Sequence, residues 1–167
     1  MTEKQIVEIM SQMVIIVDTR EQKNQHILDY FNEHGIKWKS QKLDFADYGF
    51  ELPEPYSHLN NLVVVEKKNS IDEINGNFTK GRERFHNEFK RSQEHNSKVH
   101  LVVENATWKK IMNGTYRSKI HPNSVMASII TFSQMYNLST WFVEKSNSPM
   151  LIYNLISYGV KGLLKNE

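Results

Sequence analysis

An α/β domain built on a central mixed β-sheet flanked by helices is what this sequence predicts, on three observations. Short β-branched apolar runs recur at Met13–Val17, Leu62–Val65 and Val99–Val103, the pattern of strands buried on both faces. Between them lie segments whose apolar residues recur at helical spacing, such as Ile27, Leu28 and Phe31. No internal repeat, low-complexity tract or linker interrupts the alternation, so one domain over residues 1–167 is expected.

In chain order, the first run ends at Asp18-Thr19-Arg20-Glu21, and the helix after it is expected to stop at Gly35. Ile36–Leu43 reads as a strand with Trp38 on one face and lysines opposite. The segment LDFADYG, and the loop with Pro53 and Pro55, read as turn and loop. Leu62–Val65 runs straight into Glu66-Lys67-Lys68. Ser70 and Glu73 form a capping box for a short helix that Gly76 is expected to end. A longer helix over Lys80–Glu94 is anchored by Phe85 and Phe89, one turn apart. Two further helices, each with proline at its first position, follow Pro122 (Val125, Ile129, Phe132, Tyr136) and Pro149 (Ile152, Leu155, Ile156, Leu163). A strand at Thr140–Val143 lies between them.

Composition closes several functional classes. The chain has no cysteine, which excludes disulfides and thiolate metal sites. No apolar run approaches the length of a membrane span, and the start, MTEKQIVEIM, does not read as a secretory signal. No membrane partner is therefore expected, and the expected location is intracellular, cytoplasmic in a bacterial or phage setting. There is no P-loop, dinucleotide glycine pattern or nucleophile elbow, and the histidines are scattered. The net charge of +2 is too small to announce a polyanionic partner. Positive charge does concentrate at Lys80, Arg82, Arg84, Lys90, Arg91 and Lys98, against Glu83, Glu88 and Glu94. On composition alone that is an ordinary solvated helix face.

Three acids stand where strands end: Asp18, Asp47 and Glu66. Strand ends of an open sheet are common ligand sites. Phosphodiester hydrolysis needs a hard cation held by one or two carboxylates with water and phosphate, and a lysine able to balance charge. Side chains alternate along a strand, so Glu66 and Lys68 share a face and Lys67 takes the other. Asp47 then completes a D…E-x-K arrangement. E-x-K by itself is frequent, and its plain reading is a strand becoming charged as it leaves the core.

Several motifs in order carry more information. Val65-Glu66-Lys67-Lys68 followed by Asp72 resembles the V-E-R-K-x-x-x-D signature of the XPF-type (ERCC4-like) nuclease domain of the PD-(D/E)XK superfamily. Val17-Asp18-Thr19-Arg20-Glu21 resembles that family's opening strand-end motif, and Ala46-Asp47-Tyr48 its G-D-Y. Phe78 with Gly81-Arg82-Glu83-Arg84-Phe85, then Glu88 and Arg91, resembles the following helix of bacterial and phage versions. His121-Pro122 fits the last third.

The resemblance implies a restriction-endonuclease-like fold and a Mg²⁺- or Mn²⁺-dependent DNA endonuclease acting on duplex or branched DNA, in repair, recombination or replication. Asp47 and Glu66 would bind the ion with the Lys67 backbone carbonyl, and Asp18 would add a carboxylate directly or through water. Lys68 would be the catalytic lysine, with Arg20, Glu21 and Asp72 in support. Arg82 and Arg84 are the first candidates for DNA phosphate contact, and Lys80, Arg91, Arg117 and Lys119 the next. A homodimer through the last two helices is implied, against the plain alternative that those helices bury each other. Ala46 stands where the family has glycine, and Lys67 where it has arginine; Lys67 is expected to matter less for chemistry. No helix-hairpin-helix module follows in this sequence, so it reads as a minimal version of the domain. The rival function is a non-catalytic module of the same shape that binds DNA or a partner.

Overall fold

The computed structural model describes all 167 residues. Six strands form one sheet: β1 (Val14–Val17), β2 (Trp38–Ser40), β3 (Tyr48–Glu51), β4 (Val63–Lys68), β5 (Lys98–Glu104) and β6 (Leu138–Val143). Seven helices cover it: α1 (Glu3–Met10), α2 (Gln25–Glu33), α3 (Ile71–Phe78), α4 (Arg82–Glu94), α5 (Trp108–Met112), α6 (Pro122–Met135) and α7 (Ser148–Lys165). The sheet order is β2-β1-β3-β4-β5-β6. β3 is antiparallel to both neighbours, whereas β1 and β2, β4 and β5, and β5 and β6 run parallel. The sheet is mixed, as expected.

Strand alternation divides the interior into two cores. Ile15, Val17, Tyr48, Phe50, Val63 and Val65 pack against α1, α2 and α7 on one face. Val64, Val99, Leu101 and Val103 pack against α3 to α6 on the other. α6 and α7 therefore lie on opposite faces and cannot bury each other.

Local sequence explains most differences from the expected elements. The strand expected at Ile36–Leu43 shrinks to the three residues of β2, because Leu43 N–H is drawn onto the Asp18 carboxylate at 2.6 Å and the chain turns there. Tyr48–Glu51, read as the end of a turn and the loop after it, is the central strand β3, with Tyr48, Gly49 and Phe50 buried. Gly49 is required by a close approach: a Cβ there would come within 2.3 Å of Asn61 Oδ1. That oxygen accepts the N–H of Phe50. Gly76 does not end α3, because the stripe Ile71, Ile74 and Phe78 is buried on both sides of it, and that burial outweighs the roughly 1 kcal/mol cost of a helical glycine. Gly35 does stop α2, in the left-handed region at φ 63°. α1 was not expected, although Thr2 and Gln5 form its capping box and Ile6 and Ile9 its buried face. α5 was not expected either; Thr107 caps it.

Candidate active site

Between β2 and β3 the chain makes a turn, residues 44–47, that ends on Asp47. Its N–H donates to Val65 O at 3.0 Å, and its carbonyl accepts the N–H of Asp18 at 2.8 Å, so the backbone of Asp47 spans from β4 to β1. Its side chain reaches back to β4, where Oδ2 accepts the Lys67 N–H at 2.8 Å. A residue's N–H and C=O leave an extended strand on the same side, so the Lys67 carbonyl also opens toward Asp47. Ala46, just before, sits in the left-handed region at φ 64°, which costs a residue bearing a Cβ about 1–2 kcal/mol.

β4 is buried along its whole length. Its alternation directs Glu66 and Lys68 to the α3–α4 side and Lys67 to the α2 side, as expected. Lys68 Nζ donates to Glu66 Oε1 at 2.5 Å and lies over the ring of Phe85. Glu66 Oε2 is buried with no hydrogen-bond partner. Burial, then the charge of Asp47, pushes the Glu66 carboxyl well above the usual carboxylate range. Burial likewise raises Asp47 to about 7; Lys68 opposes the shift, whereas Glu21 and Glu88 add to it. Burial works to lower the pKa of Lys68, but the charges of Glu66 and Asp47 win and hold its ammonium above the ordinary value.

A buried acid with an unsatisfied oxygen, Glu66, beside a half-buried one, Asp47, makes a region of excess negative potential. A divalent cation relieves it. No three carboxylate or imidazole side chains converge closely enough to hold an ion by themselves. The residues present therefore fit a cation that takes two carboxylates and a backbone carbonyl and keeps several waters, as Mg²⁺ does.

The supporting residues divide between two tasks. Asp18 is buried, and both of its oxygens are engaged: Arg20 N and Nε bond Oδ1 at 2.8 and 2.7 Å, while Arg20 Nη2 and Leu43 N bond Oδ2 at 3.0 and 2.6 Å. Burial alone would raise its pKa, but these bonds from Arg20 and Leu43 prevail and lower it. In this structure the Asp18 carboxylate is thus turned onto Arg20 and Leu43. The carboxylate fixes the turn that precedes Asp47, with Arg20 also donating to Leu43 O. On the other face, the Lys67 ammonium is wholly enclosed, held by Asn69 Oδ1 at 2.8 Å, Glu21 Oε1 at 3.2 Å and Lys23 O. Asp72 is not turned toward Glu66 either. It accepts the N–H groups of Arg117 and Ser118 at 2.9 and 2.8 Å, fixing the basic loop after α5.

Glu88 is the site residue that sequence reasoning passed over. It lines a crevice with Glu66, Phe45, Ala46, Phe89, Ser92 and Val99, and its Oε1 accepts the Ala46 N–H at 3.3 Å. Its sequence signals were its place in the helix motif that the family resemblance rests on, which assigned it no role, and its position beside the buried stripe of Phe85, Phe89 and Ser92.

The candidate DNA contacts separate as well. The Arg82 guanidinium covers the Phe132 ring and donates to Phe78 O, so its charge is partly used within the fold. Arg91 donates to Asp44 O, and Arg117 bonds Asp72. Lys80, Arg84 and Lys119 are exposed. Arg84 shares the helix face of Glu88 and Arg91, at spacings of four and seven residues.

Residues 17–153 match the family model described as the ERCC4 domain. Among solved structures, XPF from Aeropyrum pernix superposes with a TM-score of 0.66 at 18% identity, over 87% of this chain and 61% of that one. The same protein in complex with DNA gives 0.65 at 19% identity, over 89% and 66%. The chain thus spans less than two-thirds of the length of either, and the likeness is one of fold. No match is found among curated proteins.

Proposed function

Because this chain belongs to the ERCC4 domain family, we propose that it is a divalent-metal-dependent endodeoxyribonuclease acting through Asp47, Glu66 and Lys68. The fold is the restriction-endonuclease-like one, a mixed six-stranded sheet flanked by helices. The observation that carries the activity is the buried Glu66 oxygen with no partner, beside Asp47 and Lys68 at the end of a strand.

In this reading Asp47, Glu66 and the Lys67 carbonyl hold Mg²⁺ or Mn²⁺. When bound, such an ion polarises the phosphoryl oxygen and acidifies a water. The protein does the rest. The Lys67 N–H fixes one oxygen of Asp47, so the other stays aimed away from the strand. Glu66 Oε1 fixes the Lys68 ammonium. Held above its ordinary pKa, Lys68 stays protonated at neutral pH, so it acts by stabilising charge on the pentacovalent phosphate and not as a base. Lys80, Arg84 and Lys119 supply positive charge around the site for the DNA backbone. DNA as the ligand is also supported by the relative solved with DNA bound.

The decisive experiment incubates the protein with Mg²⁺ and single-stranded, duplex, flap, fork and four-way-junction DNA. Metal-dependent internal cleavage is expected, and its rank order among these substrates gives the structural preference and the process served (repair, recombination or replication). Binding to all of them without cleavage, in Mg²⁺ and in Mn²⁺, would leave the rival reading of a non-catalytic DNA-binding module. We further propose a homodimer at the side of the molecule where β6 and α7 meet, with α6 on the opposite face of the sheet. There Trp141, Leu151, Leu155 and Tyr158 line a groove of about 320 Å³.

A further inference from the structure

We propose that Glu88 is a positioning residue that sets the aim of Asp47 through the backbone of Ala46, an inference that rests on the nuclease reading of the site. The turn before Asp47 is gripped at three successive residues, by two side chains of the second half of α4 and by the His95 that caps it. Arg91 Nε donates to Asp44 O at 3.2 Å. The His95 ring meets Phe45 edge-on, with centroids 5.6 Å apart. Glu88 Oε1 accepts the Ala46 N–H. Of these, the last bears on the chemistry, because Ala46 is both left-handed and the immediate neighbour of Asp47.

An alanine leaves the left-handed region unless something holds it there, since its Cβ crowds the backbone in that conformation. The Ala46 N–H is buried with its residue. Without Glu88 it would lack a partner, and the turn would relax by rotating the peptide that joins Ala46 to its neighbours. Asp47 would rotate with it and lose its hold on the Lys67 N–H. A glycine at position 46 would need no such restraint, because it adopts positive φ at no steric cost.

The test separates this role from two others: mere stability, and direct ligation by Glu88. Calorimetric Mn²⁺ binding, cleavage kinetics and melting of the metal-free protein are measured for wild type, Glu88→Ala, Glu88→Gln, and Glu88→Ala combined with Ala46→Gly. Glu88→Ala is expected to weaken Mn²⁺ binding about tenfold, as loss of an outer partner of a metal ligand does, and to lower kcat with KM for DNA little changed. Glu88→Gln keeps an acceptor oxygen and recovers most of that loss. Ala46→Gly recovers much of it in the Glu88→Ala background. Wild-type Mn²⁺ affinity and kcat in Glu88→Ala would overturn the inference. So would failure of both Gln and Gly to restore Mn²⁺ binding, which would mean that the carboxylate itself is what matters. A wild-type protein that binds Mn²⁺ but cuts no DNA would overturn the nuclease reading instead, and the Mn²⁺ series would still decide the role of Glu88.

Discussion

At the scale of single residues, the site is a set of opposed charges that the fold alone does not satisfy. Asp47→Ala and Glu66→Ala should each abolish cleavage while leaving the fold and DNA affinity close to wild type. Removing Asp47 from a pair of acids that repel should raise the stability of the metal-free protein by on the order of 1 kcal/mol, or about 2–4 °C in Tm. Removing Glu66 also takes the partner of the Lys68 ammonium and should lower that stability. Cleavage by either variant at more than trace level, or a lower metal-free Tm in Asp47→Ala, would contradict the assignment.

The pH dependence follows with a definite sign. Asp47 titrates near 7 in the folded protein against an ordinary 3.8, so the folded state holds its proton more tightly. The stability this contributes is present at low pH and is lost as pH rises from about 4 through 7. Melts of the metal-free protein should therefore show lower stability at pH 8 than at pH 5.5. Added Mg²⁺ should raise Tm at pH 8 far more than at pH 5.5. Strand alternation puts Glu66 and Lys68 on one face, but it was the ordered motifs of the family resemblance that singled out Asp47, Glu66 and Lys68 as a candidate site. Glu88 was not among them, since its contact with Ala46 joins positions 42 residues apart. The enclosure of Lys67 was also missed, because a lysine at the end of a strand that leaves the core reads as solvated. Lys67→Ala should leave Glu21 without its partner in a nearly closed site and cost about 3 kcal/mol, measurable as a lower denaturation midpoint in both the presence and the absence of metal.

At the scale of elements, α4 carries both the residues that hold the turn before Asp47 and the exposed Arg84 proposed to meet DNA. Its buried stripe holds the helix to the core, and Arg84 sits on the same flank as the two side chains that grip the turn. Arg84→Ala with Lys80→Ala should weaken DNA binding and reduce its salt slope by about one to two, with sequence preference unchanged. Arg82→Ala should lower stability, because Arg82 covers Phe132. Titrations at several salt concentrations separate these outcomes; an unaltered slope in the double variant would make this face of α4 a bystander. Helices with long apolar stripes were readable in advance. β3 was not, because Asp47, Tyr48 and Gly49 read locally as turn residues, and only pairing with β1 and β4 makes them a strand. α1 went unread despite its capping box, since its apolar face amounts to Ile6 and Ile9.

At the scale of the whole molecule, the sheet has two free edges of different character. β2 is three residues long and carries Lys39, which pairs with Glu51; short charged edges discourage pairing with other chains. β6 is longer, with Trp141 on its outer side and Tyr158 of α7 exposed nearby. If two copies meet there, Tyr158→Asp with Leu155→Asp should convert a particle of twice 19.7 kDa to a single one in light scattering. A wild-type mass of one chain across the micromolar range would dismiss the dimer.

β4 also gives Val63 and Val65 to one core and Val64 to the other. Neither half of the interior can loosen without disturbing it. In deuterated solvent its backbone protons should be among the last to be replaced, on the timescale of global opening. Active-site segments usually exchange early. In this protein the strand bearing Glu66 and Lys68 should exchange late.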